Sequence, residues 1–213
     1  DAIWNQRYNY QVNGFYNAFL VQTKYLIVDK PDGYSKKAAE NLLKGSKTSG
    51  TIAKTPNIIV IMTESFWDPT RLPNVKFSVD PMKGFNQVKS ESLYGNLLVE
   101  PFGGNTANTE FEVLTGLSMN TLPGGVAYQQ YIKREIPSLA SLLKAQGYSV
   151  EAIHPYLDWF WNRKVVYPLI GMDKFLTLDS FSESDYKGRY VSDKAVRDKI
   201  ISEFEANHST GKP

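Results

Sequence analysis

The chain has 213 residues, with 24 Lys and Arg against 22 Asp and Glu for a net charge of +2. These charges are spread without blocks, which argues against a nucleic-acid or polyanion surface. The mix of 42% hydrophobic and 22% charged residues belongs to an ordinary folded chain, neither disordered nor fibrous, and the absence of cysteine removes disulfides, thiolate metal sites and a cysteine nucleophile. No apolar run approaches the roughly eighteen residues of a membrane-spanning helix and no charged-then-apolar leader is present, so the chain as given is expected neither to span a membrane nor to carry a signal peptide. Aromatic residues make up 13% of the sequence. That suits a cleft for a sugar or polyol, and equally an ordinary interior.

From the N-terminus, Asn13 offers a cap for a helix carrying Phe15, Ala18, Phe19, Gln22 and Leu26. Pro31, Gly33 and Ser35 then break the chain before a second helix over Lys36 to Lys44, and the Ser-, Thr-, Gly- and Lys-rich stretch Gly45 to Thr55 reads as a linker. Residues 1–54 are thus expected to form a helical tether and residues 55–213 the main domain. At Pro56 the character changes. Ile58, Ile59, Val60, Ile61 and Met62 form a short continuous run of the kind found in a strand buried on both faces. Glu64 follows at its carboxyl end, where open α/β sheets hold their ligands, although a carboxylate there can equally turn into water. Phe66 to Met82 reads as a long loop, and Tyr94 to Val99 as a second strand.

The stretch Pro101 to Gly116, PFGGNTANTEFEVLTG, leads from glycines into a helix with Ala107, Phe111 and Leu114 on one face and Gly116 as its stop. Thr106 falls in the first turn. Unpaired N–H groups there favour an anion, so its hydroxyl is placed for attack on phosphorus or sulfur; the same residue also suits a plain N-cap. Beyond it, Met119 to Tyr128 reads as loop, Ser138 caps a helix carrying Leu139, Leu142 and Leu143 that ends at Gly147, and Tyr148 to Ile153 is a strand with His154 at its carboxyl end. His154, Asp158, Trp159, Trp161, Asn162 and Arg163 then crowd together. Arg can fork onto a phosphate, Trp can lie along a polyol, and His can donate to a phosphate oxygen or act as acid or base; a surface loop with a snorkelling Arg is the plainer alternative. Ser192 caps a last helix through Val196, Ile200 and Phe204. Strand and helix alternation with polar residues at strand ends predicts an α/β fold with a largely parallel sheet flanked by helices.

Three pieces in this order, NIIVIMTESFWD, GGNTANTEFEVLTG and HPYLDWFWNRKVVYPLIGMDKF, resemble the lipoteichoic acid synthase family of phosphoglycerol transferases, a sulfatase-like branch of the alkaline phosphatase superfamily. The resemblance runs from about Pro56 to the end, and NGFYNAFL with KPDGYS looks like the linker that such proteins place between a membrane-embedded region and an extracellular catalytic domain. It implies that Glu64 is a ligand of a divalent metal, manganese first and magnesium second, and that Thr106 is the nucleophile, its hydroxyl also at the metal. It further implies that His154, Trp161 and Arg163 hold the glycerophosphate group. Tyr156 stands where several relatives have Asp or Asn, and Asp158 lies at a different spacing. The family completes its metal site with an Asp–His pair further along, so the resemblance implies the N-terminal portion of a catalytic domain whose sheet is incomplete and whose remaining ligands lie beyond Pro213. A metal on the threonine oxygen would make the alkoxide accessible near neutral pH.

The activity implied is transfer of glycerol phosphate from a membrane glycerophospholipid such as phosphatidylglycerol to a glycan or teichoic acid-type acceptor, through a phosphoglycerol-threonine intermediate. It would occur at the extracellular face of a bacterial cytoplasmic membrane, with anchoring segments outside this chain. Two alternatives stand beside it: a sulfate or phosphate ester hydrolase of the same superfamily, and a noncatalytic module binding a phosphorylated glycan or lipid headgroup through His154, Trp161 and Arg163. The C/S-x-P-x-R setting of sulfatase aldehyde nucleophiles is missing, which favours the threonine route.

Overall fold

Ser138 shows how local sequence sets the fold. Its hydroxyl accepts from the Ser141 N–H at 3.0 Å while the Ser141 hydroxyl accepts from the Ser138 N–H at 2.8 Å, a reciprocal cap that starts a helix at Leu139. The buried Ser138 hydroxyl also donates to the Ile170 carbonyl, so this helix start is pinned to a distant turn. The computed structural model describes residues 6–23, 27, 30, 32–43, 55–63, 66–100, 104–208, 211 and 213. Its helices are α1 (Gln6–Thr23), α2 (Lys36–Leu43), α3 (Lys83–Ser90), α4 (Thr106–Thr115), α5 (Ala127–Gln130), α6 (Leu139–Lys144), α7 (Arg163–Leu169) and α8 (Asp193–His208). Strands β1 (Glu151–Ile153) and β2 (Lys174–Leu176) pair in parallel, Ala152 opposite Phe175, across a connection that contains α7. Strands β3 (Tyr186–Lys187) and β4 (Tyr190–Val191) form a short antiparallel ribbon.

The core lies where α4, α5 and α7 meet. Ala107 and Phe111 of α4 bury against Val126, Ala127 and Tyr128, with Val166, Tyr167 and Ile170 closing the other side. Helix α8 begins after Ser192, whose hydroxyl accepts from the Ala195 N–H at 3.2 Å. It reaches back to the parallel pair through Asn207, which donates to Glu151 at 2.8 Å, and through Glu203, which accepts from Lys174 at 2.5 Å.

Gly171 makes the turn between α7 and β2 with φ of +96°, and a Cβ there would lie 2.7 Å from the Ser141 backbone nitrogen. Backbone cannot yield as a side-chain tip can. Gly171→Ala is therefore expected to cost about 3 kcal/mol, summing left-handed strain and overpacking, read as a lowered midpoint in chemical denaturation.

Several expectations need correcting. The run Ile58–Met62 forms no strand; these side chains are between 40% and 67% exposed, and Tyr94–Val99 is likewise unpaired and exposed. A continuous β-branched run buries only when strands flank it and layers cover both faces, and neither ladder among the described residues takes it in. Pro56 is nevertheless held, its carbonyl accepting from the Tyr148 hydroxyl at 3.0 Å. Helix α1 begins well before Asn13, which instead donates to the Asn9 side chain at 2.7 Å, and Gly14 interrupts it with φ of 68°. Helix α3, the short helix α5 that begins at the end of the expected loop, and the strand β2 were not foreseen. The strand expected over Tyr148 to Ile153 is confined to its last residues, β1, and in α6 it is Ala140 that buries while Leu142 is exposed. Glu64, Pro101 to Gly103 and most of the expected linker lie outside the described residues.

Candidate active site

Helix α4 is the organising element, and Thr106 is its first residue. The N-cap position is held by Asn105 and not Thr106; Asn105 sits in the left-handed region at φ 61°, ψ 49° and makes no side-chain cap bond. The Asn105 carbonyl accepts from the Asn108 N–H at 2.8 Å, which tightens the first turn. Thr106 itself is half-buried. Asn108 is 4% exposed and acts as a clamp, its amide donating to the Gly125 carbonyl at 2.8 Å and its oxygen accepting from the Ala127 N–H at 2.9 Å. The start of α4 is thereby fixed against the double-glycine turn that precedes α5.

Arg163, at the start of α7, is 2% exposed. It is not a surface residue with a snorkelling side chain. Its Nε and Nη2 donate to Glu110 Oε2 at 3.1 and 2.8 Å, and Tyr167 donates to Glu110 Oε1 at 2.7 Å. Burial lowers the pKa of the guanidinium, but the hydrogen bond and charge of Glu110 outweigh it and hold the group above its usual value. Burial and then the Glu110 charge push the Tyr128 and Tyr167 phenols well above theirs, so both stay protonated. Arg163 Nη1 and the Tyr128 hydroxyl are buried and have no hydrogen-bond partner among the described residues.

Two residues ahead of this fork, Trp161 and Asn162 both sit at positive φ, 58° and 63°. Such backbone costs energy, and the Asn162 amide offsets part of it by donating to the Tyr128 carbonyl at 3.0 Å. Asn105, Trp161 and Asn162 place left-handed non-glycine backbone at both segments of the site. His154 stands at the end of β1, its N–H donating to the Leu176 carbonyl at 2.9 Å. Rings run from His154 to Tyr156 and on through Phe160 to Trp161, with the last pair 5.1 Å apart. Asp158 pairs with Lys164 at 2.5 Å on the outer side. That engagement leaves it a poor substitute for the Asp or Asn that Tyr156 replaces.

Burial first, then the Arg163 charge, lowers the His154 pKa to about 4, with Glu110 opposing. The imidazole is neutral at pH 7 and serves as an N–H donor rather than a cation. The unfolded chain binds a proton between pH 6.5 and 4 that the folded chain refuses, so stability is full above pH 6.5 and falls as pH drops toward 4. Water reaches part of the ring, so the loss is about 2 kcal/mol. Denaturation midpoints from pH 4 to 8 should show this slope, and His154→Gln should flatten it.

Sequence reasoning missed Glu110, Asn108, Tyr128 and Tyr167. Glu110 carried a signal: it is a carboxylate inside the stripe of Ala107, Phe111 and Leu114, where a buried charge needs a partner. Thr106 offers a hard oxygen donor, the chemistry manganese and magnesium take. Among the described residues no three His, Asp or Glu side chains gather to hold a metal, so these residues fit part of a cage and not the whole of one.

Residues 56–213 match the Sulfatase family. The chain belongs to that family. This sulfatase-family chain is 42% identical over 201 residues to a Rhizobium meliloti (strain 1021) protein with the provisional name cyclic beta-1,2-glucan modification protein, covering 93% of this chain and 31% of that one. It is 31% identical over 163 residues to lipoteichoic acid synthase of Staphylococcus aureus (strain NCTC 8325 / PS 47), over 74% of this chain and 24% of the synthase. Among solved structures it resembles the phosphoglycerol transferase GacH of Streptococcus pyogenes in complex with sn-glycerol-1-phosphate, with a TM-score of 0.64 and 30% identity over 82% of this chain and 50% of that one. The sulfatase-family chain thus spans 31% and 24% of the lengths of these two curated relatives. Its α/β class and its likeness to the phosphoglycerol transferases stand as expected.

Proposed function

We propose that this chain carries the nucleophile and phosphate-binding side of a phosphoglycerol transferase that moves glycerol phosphate from a membrane glycerophospholipid, phosphatidylglycerol foremost, to a hydroxyl of a cell-envelope glycan. The observation that carries this reading is Thr106 at the first position of α4, on the helix that Glu110 ties to Arg163. Helix N–H groups and a guanidinium are the donors that stabilise charge on phosphoryl oxygens. The Thr106 hydroxyl oxygen attacks phosphorus as the bond to the diacylglycerol oxygen breaks, and diacylglycerol leaves with a proton. An acceptor hydroxyl then attacks the same phosphorus as its bond to the Thr106 oxygen breaks, and the acceptor's proton passes to Thr106. His154, neutral, donates to the phosphate, and Trp161 lies along the glycerol. Thr106 with Glu64 would hold Mn2+, or Mg2+ in second place, whose chemistry when bound is to make the threonine oxygen a better nucleophile.

Two findings support the acceptor and the donor. The relative at 42% identity is named for glucan modification, and GacH is named a phosphoglycerol transferase and was solved with sn-glycerol-1-phosphate. The family match begins at residue 56, which supports a tether over 1–54 and a catalytic portion over 55–213. Among the described residues no helix is long and apolar enough to cross a membrane. A lipid donor and a glycan acceptor place the reaction at the outer face of a bacterial cytoplasmic membrane. Intact-mass analysis after incubation with phosphatidylglycerol vesicles and Mn2+ tests the reading. A glycerophosphate adduct that discharges when a cyclic glucan is added supports transfer; release of free glycerol phosphate without an acceptor points to hydrolysis; binding with no adduct leaves a noncatalytic module.

A further inference from the structure

We infer that Glu110 is a positioning residue for the phosphoryl group: it takes the Nε and Nη2 edge of Arg163 and leaves Nη1 as the donor presented to phosphate. This rests on the transferase reading for the identity of the ligand, but its geometry stands on the chain itself. Glu110 follows Thr106 by one helical turn, so both side chains rise from the same face of α4. The fork to Arg163 at 3.1 and 2.8 Å sets the guanidinium plane, and the Tyr167 hydroxyl at 2.7 Å sets the carboxylate plane in turn. A fork of this kind removes rotation that a single contact would leave.

What remains of Arg163 is the telling part. The side chain is 2% exposed, and Nη1 is buried without a hydrogen-bond partner among the described residues. A buried guanidinium N–H left unpaired is costly, and such an atom beside a forked ion pair marks a place where a ligand oxygen completes the network. The Tyr128 hydroxyl, buried in the same cluster and with no hydrogen bond of good geometry among the described residues, is a neutral donor beside the cationic Nη1. Together they offer hydrogen bonds suited to the peripheral oxygens of a phosphate monoester or diester.

A rival account uses the same contacts with the opposite sign. If Glu110 merely neutralised Arg163, it would compete with phosphate, and its removal would tighten anion binding. Titrating the full chain in Mn2+ buffer with sn-glycerol-1-phosphate, and with glycerol as control, separates the two. Glu110→Gln is expected to weaken glycerol phosphate binding by about 10- to 100-fold, the usual effect of losing a partner that orients a ligand-binding group, with glycerol unaffected. Tyr167→Phe, which keeps the ion pair and removes only the hydroxyl, is expected to weaken it by about two- to tenfold. On an Arg163→Gln background, Glu110→Gln should change nothing further, because positioning acts only through Arg163. Equal or tighter binding by Glu110→Gln overturns the inference, as does an equal loss on both backgrounds, which is the mark of a merely structural role. If the wild type binds glycerol phosphate with this Glu110 dependence yet forms no Thr106 adduct, the transferase reading fails and the positioning role stands. If the wild type does not bind glycerol phosphate, both fail.

Discussion

Replacing Thr106 with alanine is expected to abolish the glycerophosphate adduct and to lower transfer by at least about a thousandfold, the scale on which loss of a nucleophile is felt. Stability should move by less than about 1 kcal/mol, because Thr106 occupies the first helical position, where alanine is well accepted, and the N-cap is Asn105. The two effects separate the roles that the sequence left open. A capping threonine would lose stability and keep activity; a nucleophile does the reverse. Thr106→Ser keeps a hydroxyl and should form the adduct more slowly, since serine lacks the branched Cβ that narrows the rotamers of threonine. Intact mass after incubation with phosphatidylglycerol, beside thermal melts of the three proteins, checks all of this.

What the sequence showed of the fold depended on whether the signal was local. Helix α4, its stop at Gly116, the caps at Ser138 and Ser192, and His154 at the end of β1 are all set by neighbours along the chain, and they stand. Ile58–Met62 and Tyr94–Val99 read as strands because their composition is that of strands. A strand, however, is a relation between segments, and its burial depends on what lies on either side. The parallel partner of β1 was missed for the same reason: Lys174–Leu176 is short, and it opens on an exposed lysine that serves Glu203. At the site, residue types were legible and relationships were not. Arg163 stood out by residue type as a candidate to hold phosphate, but nothing in its immediate neighbours said that it would be buried on a carboxylate from α4. The strained backbone at Asn105, Trp161 and Asn162 was likewise invisible, since only asparagine has a composition that hints at positive φ.

Arg163→Ala is the substitution expected to cost most in stability. It leaves the Glu110 carboxylate, 12% exposed, without its counter-charge, and breaking a buried pair from one side costs about 3–5 kcal/mol. Against a total of about 5–15 kcal/mol for an ordinary domain, the variant should melt far below the wild type. Arg163→Lys should rescue little, since an ammonium cannot make the two-pronged contact. The double variant Arg163→Met with Glu110→Gln removes both charges at similar volume and keeps an acceptor for the Tyr167 hydroxyl. Its stability should return to within about 1–2 kcal/mol of the wild type, because a buried ion pair and its neutral replacement are close in free energy. Transfer should not return with it. The phosphoryl group would still lack the guanidinium donor, so a protein folded like the wild type yet unable to hold glycerol phosphate would locate the purpose of the pair in the reaction rather than in the fold.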